Sequence, residues 1–341
     1  MIATHALSVA ELEEAREPAE ERGRGRDDVR LLVARARAGL EHAHFTQLPE
    51  LLDPGDLLVI NTSATLPAAV TVRGPEAGLA LNLSGPANGD DPHLWLAELR
   101  RAGERYRGGQ EGQVLLLPAG ATAVLLERHP GGRLWRISLR VPGSLDSYLA
   151  RHGQPIRYRH LERSWPLDRF RTVYATEPGS AEMPSAGRAF TTELVTRLIA
   201  RGVDLAPLVL HTGVSSLEIG ETPQPERFRV PRFTAARINL TRELGGRVLA
   251  VGTTVVRALE AAVGADGRVR ARQGWADLVI EPETEIRALG GLLSGFHDRD
   301  SSHLAMLEAI AGRDLLERSY DEALHAGYLR HEFGDLHLLL R

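Results

Sequence analysis

The chain has 341 residues, a formal net charge of −4 and a pI near 6.4, so no global electrostatic footprint for nucleic acid exists, although a local basic patch stays open. It contains no cysteine, which excludes disulfides, thiolate nucleophiles and zinc–thiolate sites. It contains no lysine either, which excludes lysine Schiff bases and the P-loop lysine and leaves arginine as the only strong cation. The length predicts two domains. No run approaches the roughly 18 apolar residues of a membrane span, and no basic-then-apolar secretion signal opens the chain, so a cytoplasmic protein is expected.

In chain order, the charge-dense stretch from Glu11 to Glu21 predicts a peripheral helix broken at Gly23 to Gly25. Two short strands follow, within Asp27 to Ala34 and Asp56 to Asn61, separated by a short helix around Leu48 to Leu52. From about Val70 to Leu145 short alternating apolar segments are broken by glycine and proline: Leu79–Leu83, Leu94–Leu99, Gln113–Leu117, Ala123–Glu127 and Arg133–Val141. That spacing predicts a small β-barrel or sandwich inserted at 70–148 into an α/β main domain made of 1–69 and 149–341. Beyond Tyr148, Thr191–Arg201 reads as a helix with Glu193 and Arg197 spaced as an ion pair and Gly202 as its stop. The apolar run Val203–Leu210 reads as a strand that ends at His211, where α/β proteins collect reactive groups; a hydrogen-bonded structural histidine is the alternative. A strand at Trp275–Ile280, a turn at Gly290–Gly291, helices at Leu304–Ala311 and Leu315–Ala326 and a last strand at Asp335–Leu340 complete the reading.

The most informative junction is Arg247–Ala262. An apolar, β-branched strand runs through Gly252, Thr253 and Thr254 into a helix. Threonine hydroxyls and free amides at a helix start suit a carboxylate, phosphate or sugar hydroxyl, while simple capping by Thr253 or Thr254 is the competing explanation. No zinc-protease spacing of histidines, no Gly-x-Ser-x-Gly elbow and no Gly-x-Gly-x-x-Gly turn occurs, and His42 with His44 reads as a strand-edge pair rather than a ligand pair. No metal site is expected.

Several short segments stand out in a fixed order along the chain. They are Arg26-Asp27 with Arg30 to Val33, Phe45 through Leu48-Pro49 to Pro54-Gly55-Asp56 and Asn61, and Thr172 to Ala175 with Gly179-Ser180. Pro184 to Gly187 with Phe190-Thr191, Leu210-His211 with Gly213, and Ala250 to Thr254 with Arg257, Leu259 and Glu260 follow. Gly274-Trp275 with Asp277, Phe296-His297 with Ser301, and Gly334-Asp335 close the series. Taken together they resemble the S-adenosylmethionine:tRNA ribosyltransferase-isomerase family almost end to end, and the resemblance implies the same architecture, an α/β main domain interrupted by a small β-barrel. It also implies S-adenosylmethionine as a co-substrate. In that family its ribosyl unit moves to the aminomethyl group of a deazaguanine base in tRNA and rearranges to an epoxycyclopentane, with release of adenine and methionine.

A sulfonium acidifies the neighbouring 5′ carbon, so one positioned base is needed to take a proton there. Neutral imidazole suits that task, and His211 and His297 are the matching candidates, with Glu226 as a third. Arg257 is a candidate to stabilise departing adenine, or else pairs with Glu260. Gly252, Thr253, Thr254 and Thr191 are candidates to hold the co-substrate, and Phe190, Phe296 and Tyr174 to stack on adenine, with core packing the competing role for each aromatic.

The chain also departs from the family pattern. Where Asp-Thr-Arg and Pro-Ala-Arg are usual it has Thr62-Ser63-Ala64 and Pro67-Ala68-Ala69; Gly-Leu-His-Phe-Thr becomes Gly187-Arg188-Ala189-Phe190-Thr191. Met-His-Ser-Glu becomes Pro223-Gln224-Pro225-Glu226, and Asn-Phe-His-Leu-Pro-Lys-Ser becomes Gly295 to Ser301 with Asp300 at the lysine position. Losing basic groups at Ala64, Ala69 and Asp300 weakens the case for tRNA, while the arginines between Arg157 and Arg171, with Tyr158 and Trp165, offer either an RNA-facing strip or a solvated linker. Three readings result: the family reaction on tRNA, a paralogue that uses S-adenosylmethionine with a small-molecule acceptor or cleaves it without tRNA, and a non-catalytic nucleoside- or RNA-binding relic. A monomer is expected.

Overall fold

The computed structural model describes residues 9, 11–87, 91–158, 160–161, 163–214, 223–299 and 301–341. Its centre is a nine-stranded mixed sheet in the order Arg272–Ala276, Glu226–Val230, Asp204–Leu210, Leu57–Asn61, Val248–Val251, Gly291–Gly295, Leu336–Leu340, Arg30–Arg35, Gly39–His44. The four strands from Asp204–Leu210 to Gly291–Gly295 run parallel, and antiparallel partners extend the sheet on both sides. All five residues of Leu57–Asn61 are buried, the unbroken apolar run expected of a parallel strand covered on both faces. Alternate side chains part to two cores: Leu57, Val59, Val248 and Ala250 join one, Leu58, Ile60, Leu249 and Val251 the other. Helices Arg232–Glu243, Thr253–Glu260, Ser302–Ala311 and Arg313–His325 cover the first face, and Thr192–Ala200 the second.

The chain between Ala69 and Gln154 forms a separate antiparallel sheet, ordered Val114–Leu116, Thr122–Arg128, Leu134–Arg140, Leu94–Arg101, Leu79–Pro86, Ala69–Thr71, Gly153–Gln154. It has its own core, with Leu81, Leu99, Leu125, Trp135 and Ile137 at its centre. The Arg73 amide donates to the Leu116 carbonyl at 2.8 Å, which ties the chain just past one strand to a strand far along the sheet.

Four local expectations change. Residues 11–21 are not a helix: Glu13–Glu14 pairs in parallel with Leu329–Arg330, and only Ala19–Arg22 makes a 3-10 turn, because Pro18 cannot sit inside a helix without losing a hydrogen bond. Arg197 reaches Glu50 at 3.1 Å instead of Glu193. The predicted Trp275–Ile280 strand is Arg272–Ala276, which starts three residues earlier and ends four residues earlier. Gly291 opens a core strand rather than lying in a turn, and its missing side chain has a reason: a Cβ there would lie 2.6 Å from the Leu339 carbonyl oxygen. His42 and His44 do lie on an edge strand, Gly39–His44.

Candidate active site

The parallel strands all end on one side of the sheet, and there the chain encloses an open cleft of about 840 Å³. One wall is the junction after Val248–Val251. Gly252 adopts φ 93° and ψ 154°, a conformation reserved for glycine, and turns the chain directly into the Thr253–Glu260 helix. No side chain caps that helix, so its first amides lack a partner within it, and Gly252, Thr253 and Thr254 line the cleft. Neither threonine serves as the cap. Thr254 Oγ1 instead accepts from Asn61 Nδ2 at 3.3 Å, and Asn61 is held in turn by the Leu210 backbone at 2.8 and 3.0 Å.

One turn along the helix, Arg257 enters the cleft and is paired with Glu226, not with Glu260. Glu260 turns away and accepts from the amides of Arg287 and Ala288. Arg257 also donates to the carbonyls of Gln224 at 3.1 Å and Ala276 at 2.9 Å, while its buried Nε meets no acceptor. Glu226 accepts from the Gly213 amide at 3.0 Å. Burial pushes the Glu226 carboxyl up, against the opposing pull of Arg257 and of that amide.

The opposite lip follows Gly291–Gly295. His297 Nε2 lies 2.8 Å from Ser294 Oγ, and the His297 amide donates to Tyr320 Oη at 3.0 Å. Its ring is 4.7 Å from that of His303, which projects into the cleft from the first turn of Ser302–Ala311. Burial first, and neighbouring imidazoles second, hold His297 well below the ordinary imidazole range; burial and then the Arg257 charge bring His303 down to about 4. Both rings are therefore neutral at pH 7. His303 escaped the motif reading. Its signal was positional: the Ser301 hydroxyl accepts from the Leu304 amide, so Ser301 starts the helix and places residue 303 within the turn nearest the strand ends.

The antiparallel sheet supplies the third wall. Glu98, fully buried, accepts from Arg100 at 2.8 Å and lies 3.7 Å from Arg133, whose Nη2 donates to the Val214 carbonyl at 3.0 Å. The floor carries His160 and His331, stacked at 4.5 Å with 12° between their planes, each beside a carboxylate: Glu332 at 3.0 Å and Glu14 at 3.3 Å. Glu14, His160 and His331 bring ligand atoms within 4.8 Å of one another. Parallel stacked imidazoles point their lone pairs side by side instead of at one point, and Arg330 already pairs with Glu14 and Asp298, so this group makes a poor metal cradle.

Several expected site residues lie elsewhere. His211 directly follows the last residue of its strand, Asp204–Leu210, but does not line the cleft: Nδ1 lies 2.8 Å from Ser63 Oγ, which contacts Ser180 Oγ at 2.6 Å, and Nε2 lies 3.7 Å from Glu177. Burial, ahead of the neighbouring charges, lowers its pKa. Phe190 is fully buried in the second core, edge-on to Phe45 at 5.1 Å and to Tyr174 at 5.8 Å. Thr191 caps Thr192–Ala200 by accepting from the Leu194 amide, and donates to Asp27. Phe296 borders the cleft yet stacks at 5.0 Å on His337 within the core.

The altered positions are equally informative. Arg188 adds no free charge: its guanidinium pairs with Glu20 at 2.6 Å, donates to the Arg169 carbonyl and lies over Phe333. Ala64 lies buried in the strand Ser63–Thr65 and Ala69 opens the strand Ala69–Thr71. Asp300 and Arg159 lie outside the described residues. In the arginine-rich segment, Arg163 and Arg169 pair with Glu21, and Arg171 donates to the Thr65 carbonyl. No helix among the described residues is long and apolar enough to cross a membrane.

The family model described as "Queuosine biosynthesis protein" matches residues 5–339. The chain is 38% identical over 328 residues to the S-adenosylmethionine:tRNA ribosyltransferase-isomerase of Symbiobacterium thermophilum, covering 92% of this chain and 94% of that one. It is 35% identical to the protein of that name from Desulfitobacterium hafniense, with the same coverage. The crystal structure of S-adenosylmethionine tRNA ribosyltransferase from Thermotoga maritima superposes with a TM-score of 0.54 at 28% identity, covering 97% of this chain and 99% of that one. A mixed α/β sheet that opens a polar cleft at its strand ends, and a sequence match over almost the whole length, place this chain in the queuosine biosynthesis protein family.

Proposed function

We propose that the chain is an S-adenosylmethionine-dependent ribosyltransferase-isomerase. It moves the ribosyl unit of S-adenosylmethionine to a 7-aminomethyl-7-deazaguanine base in tRNA, forms epoxyqueuosine and releases adenine and methionine. The observation that carries this reading is the meeting, in one cleft, of the uncapped helix start at Gly252–Thr254, the Glu226–Arg257 pair and the neutral imidazole of His297. The helix start and the threonine hydroxyls suit the methionine carboxylate or the ribose hydroxyls. The Glu226 carboxylate gives the sulfonium a favourable field, and the Arg257 guanidinium, which lines the cleft, suits the charge that develops on departing adenine. His211 is the weaker candidate as base, since its ring is engaged by Ser63 outside the cleft.

In this reading residues 70–148 are an inserted β-barrel domain, supported by their separate core and by the Arg73–Leu116 bridge, and the protein works in the cytoplasm, where tRNA is found. A paralogue acting on a small-molecule acceptor stays in play for one specific reason. Arg163, Arg169, Arg171 and Arg188 spend their guanidinium groups on contacts within the chain, which reduces the phosphate-binding capacity of that strip. Incubating the pure protein with S-adenosylmethionine, with and without tRNA carrying the deazaguanine base, separates the readings. Adenine and methionine released only with that tRNA are the expected result. Release without it identifies the small-molecule paralogue, and binding without release identifies a relic.

A further inference from the structure

Five of the imidazoles in or near the cleft are already engaged or closed off. His297 is bonded to Ser294, His211 to Ser63, His160 faces Glu332, His331 faces Glu14, and both ring nitrogens of His337 are sealed in the core. His303 differs. No hydrogen bond or ion pair among the described residues reaches its ring, and neither of its nitrogens is a sealed, partnerless atom. The residue is half-buried, lines the cleft, lies 4.7 Å from the His297 ring and is close enough to Arg257 to feel its charge. It thus lines the same cleft as the uncapped helix start and the Glu226–Arg257 pair, with its ring nitrogens uncommitted.

We infer that His303 is a catalytic residue of this chain, the base that takes the proton from the carbon bonded to the sulfonium sulfur. This rests on the ribosyl-transfer reading above. In the step, a C–H bond of that carbon breaks, the proton moves to a free ring nitrogen of His303, and the electron pair stays on carbon, stabilised by the adjacent positive sulfur. No other reactant is needed. The ring is neutral at pH 7, as a proton acceptor must be, while burial and the Arg257 charge make it a weaker base than free imidazole, so the step depends on the acidity that the sulfonium gives the carbon. His297 then serves as a positioning residue: tied to Ser294 and to Tyr320, it holds the neighbouring ring at 4.7 Å.

The test uses His303→Ala and His303→Asn in the full chain, with adenine release, S-adenosylmethionine binding by calorimetry, and rescue by added imidazole as readouts. The expected result is binding within about threefold of the parent, adenine release lowered by about 10²-fold or more, and partial recovery of the alanine variant in imidazole. The asparagine variant keeps a polar side chain in the same place, so it reports on the lost base if the alanine variant does not fold. Adenine release within threefold of the parent in either folded variant overturns the assignment. So does a loss of binding that accounts for the whole loss of activity. If the parent protein itself releases no adenine with any acceptor, the ribosyl-transfer reading falls and this assignment falls with it; an active parent with equally active variants removes His303 alone.

Discussion

The two ends of the central sheet each carry a carboxylate–arginine pair, and they are built to opposite standards. At the end where the parallel strands begin, Asp56 accepts from the Arg247 amide and guanidinium and from the Asp53 amide, and Arg247 also reaches Asp53 at 2.8 Å. At the end where they finish, Glu226 and Arg257 pair in a cleft, with the carboxyl pushed up by burial and the guanidinium Nε lacking an acceptor. The first pair closes a corner between Leu57–Asn61 and Val248–Val251; the second lines the cleft and leaves one buried donor unsatisfied. A satisfied pair contributes to stability, whereas an incompletely satisfied one in a cleft marks where a ligand is received.

Four measurements sharpen or break that contrast. The largest effect is expected for Glu226→Gln, which leaves the Arg257 charge in the cleft uncompensated: adenine release should fall by about 10²-fold or more, with the loss visible in S-adenosylmethionine affinity as well. A variant with near-parental turnover would show that this pair is as structural as the one opposite. Next is Gly252→Ala. Alanine strains against φ 93° and costs about 1–3 kcal/mol, and a urea titration alongside a binding isotherm should show both stability and co-substrate affinity reduced. Asp56→Asn should lower stability by about 1–3 kcal/mol while kcat/KM stays within twofold, the reverse of the Glu226 result.

The smallest effect concerns the buried imidazoles. Burial holds His337 at about 3 and His303 at about 4, both below the unfolded value near 6.5. Between those values the unfolded chain binds more protons, so their contribution is complete above about pH 6.5 and is lost as pH falls through the folded values. His337→Leu replaces a ring with two sealed, partnerless nitrogens, so the urea midpoint should rise by the equivalent of about 1 kcal/mol at pH 7, and the loss of stability between pH 7 and pH 5 should shrink. An unchanged pH dependence would mean that the ring has a partner in solution.

Much of the cleft was legible because it uses local signals. The Arg247–Ala262 junction announces itself by an apolar β-branched run, a glycine and good helix formers in succession, and the antiparallel sheet by short strands at regular turns. His211 shows the limit of such signals. Its position at a strand end was readable, but the direction of its ring depends on Ser63 and Ser180, 148 and 31 residues away in sequence. The N-terminal stretch misled for a related reason: its helix-compatible composition yields to Pro18 and to pairing of Glu13–Glu14 with a strand more than three hundred residues later.

By itself the sequence determined the backbone grammar: which runs are buried strands, where Gly252 must turn the chain, which family motifs are present and which basic groups are missing. Those follow from steric preference and apolar period, which act over a few residues. Tertiary structure alone decided which polar groups share the cleft. It turned Arg257 toward Glu226 instead of Glu260, sent Arg188 to Glu20, took His211 out and brought His303 in. Side-chain direction at a strand end or a helix start is set by whichever distant partner satisfies its charge or hydrogen bond, and that partner is chosen only when the sheets and helices have packed.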